Sequence, residues 1–243
     1  MSETHNFSSD SVEEIAKRIA SETGGFTGGP IDRFGEVGRQ TFKSLKAAGV
    51  RRTSKVLDVG CGALRLGYWL VRFLEADCYC GLDPNPKYVQ AGLKHAIGEK
   101  VAKVKRPRFD HNMEFDFSVF GVKFDYIVAR SIFSHASPEQ VCKVLDSFRD
   151  NSSEIGVMLV SYRPLKKAEM GEKVVDVNKF GEWSWRRYGK TYLKQLAQER
   201  GLFAGNFGKP FNGQIWLRVS REDLSAAHAS GPRKSAIADP DDD

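Results

Sequence analysis

Lys55-Val56-Leu57-Asp58-Val59-Gly60-Cys61-Gly62-Ala63-Leu64-Arg65 is the stretch that decides the fold. An apolar run ending in an acid and two closely spaced glycines reads as a buried strand feeding a tight turn, with a helix opening at about Leu64. A side chain at Gly60 or Gly62 would hold a ligand off the backbone. The free N–H groups at a helix start suit a carboxylate or phosphate. The next apolar run, Cys78 to Leu82, closes on Asp83, 25 residues after Asp58. An acid at the tip of a second parallel strand can accept both hydroxyls of a ribose. These residues describe a nucleoside site at the carboxyl ends of two adjacent parallel strands.

Spacing separates two kinds of nucleoside. A dinucleotide fingerprint needs Gly-x-Gly-x-x-Gly, and Arg65 stands where its third glycine belongs. Asp58, two residues ahead of the first glycine, sits awkwardly for a pyrophosphate and well for a cofactor with a positive group. Asp58-Val59-Gly60-Cys61-Gly62 resembles the acid-x-Gly-x-Gly loop of the class I S-adenosylmethionine-dependent methyltransferases, small-molecule type. The resemblance spans about residues 28 to 220 and is strongest from Lys55 to Ser137. It departs at Leu64, where many members carry a third glycine. It implies S-adenosylmethionine as cofactor, with Asp58, Gly60 and Gly62 at its methionine end and Asp83 at its ribose; Cys61 and Pro84 are counted among the cofactor-binding residues. It also implies a seven-stranded, mostly parallel Rossmann-like sheet. For adenine the family uses an acid or amide after the third strand; Asp110, Asn112 and Glu114 are candidates, with Asp110 preferred.

With 243 residues the chain suits one α/β domain with extensions. It contains no run of eighteen apolar residues, and Met1 to Ser11 lacks a basic-then-apolar signal; a cytoplasmic protein without a membrane segment is expected. Cys61, Cys78, Cys80 and Cys142 lie in apolar stretches without zinc-like spacing, so buried free thiols are expected rather than a metal site. Net charge is +6, yet residues 221–243 hold three basic and six acidic side chains, which leaves +9 on residues 1–220. Lys100, Lys103, Lys105, Arg106 and Arg108 form the densest basic cluster. No aromatic pattern is interleaved with it, so a solvated surface is favoured over nucleic-acid binding.

Residues 1–50 read as two helices around a glycine-rich hinge. Ser11 to Glu14 is a capping box, a helix runs to about Glu22, Gly24 to Pro30 is a candidate lid, and a second helix spans Arg33 to Ala48. Residues 51–221 alternate strand and helix, which gives an α/β, doubly wound sheet. Strands are expected at Lys55–Gly60, Cys78–Asp83, near Phe109, Phe124–Ala129 and Glu154–Ser161. Leu202–Phe207 and Gln214–Val219 should close the sheet as an antiparallel hairpin. Helices are expected at Leu64–Leu74, from Asn85-Pro86 to near Gly98, from Ser137, and at Gly189–Arg200; Tyr68 and Trp69 read as core. Residues 162–188 form an insertion, and 222–243 an acidic, disordered tail.

Ligands sit beyond the carboxyl ends of such strands. The fourth strand ends Arg130-Ser131-Ile132-Phe133-Ser134-His135. No Asn/Asp-Pro-Pro-Tyr/Phe tetrapeptide stands there, which argues against nucleobase amino methylation; the Ser-x-x-Ser-His run resembles small-molecule methyltransferases. Arg130 is assigned to the cofactor, and Ser131 and Ser134 to the acceptor. His135 is the candidate catalytic base. In the insertion, Tyr162, Arg163, Trp183 and Trp185 suit a sugar ring, an aromatic acceptor or an anionic group. The expected activity is methyl transfer to oxygen or nitrogen of a small molecule or glycan. The alternatives are an RNA or protein methyltransferase, or a non-catalytic S-adenosylmethionine-binding subunit.

Overall fold

The computed structural model describes residues 11–25, 31–177 and 185–224. The expectations for Trp183, for most of the hinge and for nearly all of the tail fall outside them.

Five strands run parallel: β1 (Val56–Val59), β2 (Tyr79–Leu82), β3 (Arg108–Asp110), β4 (Phe124–Ala129) and β5 (Ser152–Tyr162). A hairpin of β8 (Phe203–Phe211) and β9 (Gln214–Ser220) completes the sheet, with β9 antiparallel to β5, in the order β3-β2-β1-β4-β5-β9-β8. The strand order reverses between β1 and β4, where such sheets bind ligands.

Both faces of the sheet are covered, which is why its strands read as near-continuous apolar runs. Successive side chains point to opposite faces. Leu57, Ile127, Ala129, Met158 and Val160 meet α6 (Pro138–Asn151) and α7 (Lys190–Gln198) on one side. Val56, Val128 and Leu159 meet α2 (Phe34–Ala47) and α3 (Gly67–Phe73) on the other. The N-terminal helix α1 (Val12–Thr23) packs Ile15, Ala16 and Ile19 beside Ala63 of the glycine loop and Ala91 of α4 (Pro86–Gly92). Local signals placed the helix starts well. Ser11 and Ser137 make reciprocal capping boxes with Glu14 and Gln140, and Asn85 caps α4 with Pro86 behind it.

Three elements depart from the sequence reading. The helix expected from Leu64 begins at Gly67, because Leu64 has φ 59°, which no right-handed helix accommodates. The helix after Asn85 loses its regular turn at Leu93–Ile97, which winds as a π-turn ending at Gly98, before α5 (Glu99–Lys105). The insertion contributes a small sheet of its own, β6 (Val174–Asp176) against β7 (Arg186–Tyr188).

Candidate active site

The loop after β1 turns sharply because Gly60 and Gly62 take φ of 72° and 49°. The Gly60 and Cys61 N–H groups donate to the Leu82 carbonyl at 2.7 and 3.2 Å, which ties the loop to the end of β2. A Cβ on Gly60 would lie 2.3 Å from Ile132 Cδ1. Gly60→Ala is therefore expected to cost about 1–2 kcal/mol from the left-handed backbone alone, plus displacement of Ile132; chemical denaturation measures it. Leu64, where the family's third glycine often stands, adopts a glycine-like φ of 59°. Its side chain is fully buried, and Gly67 and Gly92 leave room for it, since a Cβ on either would come within 3.0 Å of Leu64. Packing offsets the strain.

Asp83 follows β2 and joins the two strand tips. Its Oδ2 accepts the Gly62 N–H at 2.8 Å, and its Oδ1 accepts the Asn85 N–H at 3.0 Å. A carboxylate offers about four lone-pair sites, so capacity for two further donors remains. Burial pushes the Asp83 carboxyl up, and the N–H groups of Asn85 and Gly62 pull it back. Pro84 is exposed beside it. Asp83 N–H also donates to the Asp110 carbonyl at 3.1 Å, so the two acids share one rim. Among the adenine candidates, Asn112 bonds Asp110 and Asp116, and Glu114 pairs with Lys143. Asp110 is held below the usual carboxylate range by the Asn112 N–H, with only Oδ1 engaged by Asn112.

Asp58 lies beneath the loop rather than in the open. It is 4% exposed, and its Oδ2 accepts the Tyr79 hydroxyl at 2.9 Å. Burial pushes its carboxyl up to about 7, against the pull of Tyr79. Cys61 is likewise buried, its Sγ packed 2.8 Å from where a Cβ on Gly81 would lie, so its thiol faces the interior.

At the end of β4, Ser131 is held at φ 65°, a costly conformation for a residue with a side chain. Its N–H donates to Ser161 Oγ at 2.8 Å, and its Oγ accepts from Gln214 Nε2 at 2.7 Å and from Arg130 Nη1 at 3.3 Å. Ser161 Oγ in turn donates to Gln214 Oε1. The ends of β4, β5 and β9 are thereby locked together. The insertion then clamps the following turn: Arg186 N–H donates to the Ser134 carbonyl at 2.8 Å, and Tyr188 Oη to the Ala136 carbonyl at 2.7 Å. His135, part-exposed, meets Trp185 edge-on with ring centroids 5.3 Å apart. The Arg163 guanidinium lies over the same Trp185 ring at 4.2 Å.

Two expected acceptor contacts do not survive. Tyr162 is wholly buried in the core, and Ser134 is 1% exposed with its hydroxyl donated to the Ser131 carbonyl; neither presents a surface to a ligand. Sequence reasoning also missed Arg33, Phe211, Asn212 and Gln214. Asn212 and Gly213, both at positive φ, turn the β8–β9 hairpin over the site, where Arg33 Nη1 donates to Asn212 Oδ1 at 2.9 Å. Asn-Gly between two strands is a strong hairpin signal. Because β9 is antiparallel to β5, that turn must lie at the carboxyl end. The basic cluster is largely engaged: Lys105 bonds the Leu74 carbonyl, Arg106 pairs with Asp77, and Arg108 bonds the Phe120 carbonyl.

Residues 57–157 match the family model of a methyltransferase domain. Magnesium protoporphyrin IX methyltransferase (ChlM) from Synechocystis PCC 6803, solved with bound SAH, superposes with a TM-score of 0.58 at 18% identity, over 85% of this chain and 93% of that one. The glycopeptide N-methyltransferase MtfA superposes with a TM-score of 0.57 at 13% identity, over 78% and 90%. An uncharacterized protein of Rickettsia prowazekii (strain Madrid E), RP028, is 29% identical over 131 residues, so this chain spans only 50% of the length of that curated relative. Among the described residues no helix is long and apolar enough to cross a membrane.

Proposed function

We propose that this chain, which carries a methyltransferase domain match over residues 57–157 and shares the fold of S-adenosylmethionine-dependent methyltransferases, is a class I enzyme of that kind and methylates an oxygen or nitrogen of a small molecule or glycan in the cytoplasm. The observation that carries the reading is the Asp83 carboxylate bridging the glycine loop and the start of α4, with lone pairs left for a diol. The site fits the cofactor: only the Asp83 carboxylate comes within 4 Å of where a Cβ on Gly62 would lie, and an ionised Asp110 stands on the same rim as Asp83. Gly60, Gly62, Asp83 and Asp110 would hold it. When bound, S-adenosylmethionine supplies a methyl group on a sulfonium leaving group.

The chain's own contribution is then alignment. The Ser131–Ser161–Gln214 lock fixes the end of β4, and the Arg186 and Tyr188 clamp fixes the turn bearing His135. Orientation of this kind carries most of the rate of an in-line displacement. His135 takes the acceptor's proton, and since the sulfonium already leaves readily, His135→Ala is expected to lower kcat by about tenfold. Cofactor affinity should be unchanged. Calorimetric titration with S-adenosylhomocysteine tests the cofactor, and methyl-labelled S-adenosylmethionine with a small-molecule extract of the host tests the acceptor. Saturable binding and a labelled small-molecule product are expected; binding of NAD in place of the nucleoside would overturn the reading.

A further inference from the structure

Arginines from four separate parts of the chain converge at the carboxyl ends of β4 and β5. Arg130 ends β4 and Arg163 follows β5; Arg33 leads into α2, and Arg65 follows the glycine loop. The Arg33 and Arg130 guanidiniums each lie near the Phe211 ring, 5.6 and 5.7 Å from its centroid. Arg163 lies over Trp185, its Nη1 3.6 Å from where a Cβ on Gly213 would be, so it reaches the same hairpin turn. Burial and neighbouring guanidiniums lower Arg65 and Arg130 to about 10, and the charges felt by Arg130 are those of Arg33 and Arg163. Among the described residues no carboxylate pairs with Arg130 or Arg163, and Arg163 Nε is buried without a hydrogen-bond partner. Like charges gathered in part-buried surroundings repel one another, and a buried donor left unmade is costly. Such a group is stabilised by an anion, and guanidinium forks match carboxylate and phosphate oxygens.

We propose that Arg130 and Arg163, under the Phe211–Gly213 turn and beside Trp185, form an oxyanion subsite that selects an acceptor bearing a carboxylate or phosphate group. The proposal rests on the methyltransferase reading and adds a substrate class to it. The subsite adjoins His135 through Trp185, so an anionic group held by Arg163 places the rest of the acceptor at the β4 turn. The methionine carboxylate of the cofactor is the other oxyanion these groups could serve, and the test separates the two.

Inorganic pyrophosphate is titrated into the full chain by calorimetry, with and without saturating S-adenosylhomocysteine. The expected result is saturable binding that persists in the nucleoside complex. Arg163→Gln should weaken it about tenfold or more, and Arg163→Lys less, while the affinity for S-adenosylhomocysteine stays within about twofold. Arg106→Gln, on the far side of β2, should leave pyrophosphate affinity unchanged. Competition between pyrophosphate and S-adenosylhomocysteine would overturn the proposal by assigning the arginines to the cofactor. Equal pyrophosphate affinity in wild type and Arg163→Gln, or no binding in either, would overturn it as well. Failure of S-adenosylhomocysteine to bind at all sinks the methyltransferase reading instead, and the pyrophosphate titration without it still reports on the subsite.

Discussion

Asp83→Ala should lose affinity for S-adenosylhomocysteine by roughly 100-fold or more while the protein stays folded. The carboxylate already holds the Gly62 and Asn85 N–H groups, one on each oxygen. Each charge-assisted hydrogen bond to a ribose hydroxyl is worth about 1.5–3 kcal/mol. Two of them, less the desolvation of the carboxylate, give the stated loss, since about 2.7 kcal/mol is a factor of 100. Without the acid, the Gly62 N–H loses its partner and the loop loses its tie to the start of α4. Folding itself should suffer little, because burial already disfavours the ionised form. Calorimetry gives the affinity, and thermal unfolding without ligand checks the fold. Wild-type affinity in the variant would remove Asp83 from the ribose and leave the fold assignment untouched.

The parts of this fold that were legible in the sequence are those fixed by local chemistry. Val56 to Val59 and Phe124 to Ala129 announce strands buried on both faces, and Ser11, Asn85 and Ser137 announce helix starts through their own hydroxyl or amide caps. The acid-glycine loop and Asp83 were legible because a tight turn restricts residue type. The rest of the site depends on which strand ends meet, and no short-range pattern encodes that. Ser131 looks ordinary in sequence, yet it takes a left-handed backbone because Ser161 and Gln214, far along the chain, hold it there. Arg33, Arg130 and Phe211 come together only once β9 is set antiparallel beside β5. Tyr162 carried the right chemistry for an acceptor contact, but its strand runs on through it, and its alternating position turns it into the core.

The same alternation puts Asp58 on the face shared with Val56 and Tyr79, and this makes stability depend on pH in a defined direction. The folded carboxyl titrates at about 7, against 3.8 for a free aspartate. Between those values the folded chain holds a proton that the unfolded chain has released. Stability from this site is therefore full below pH 4, falls as pH rises, and levels off above 7. The whole change is about 4 kcal/mol. Asp58→Asn mimics the protonated acid and can still accept the Tyr79 hydroxyl, so the variant should be more stable than wild type at pH 8 and nearly equal to it at pH 4. Denaturant titrations at pH 4.5, 6 and 8 measure the difference, and a gap that does not widen with pH would refute the assignment. On the proposed reading there is a functional counterpart. A cation held above the loop favours the carboxylate, so affinity for S-adenosylhomocysteine, which carries an ammonium, should climb from pH 5 to 7 in wild type and stay flat in Asp58→Asn. If both proteins instead respond alike, Asp58 serves the folding of the loop and not the methionine end of the nucleoside.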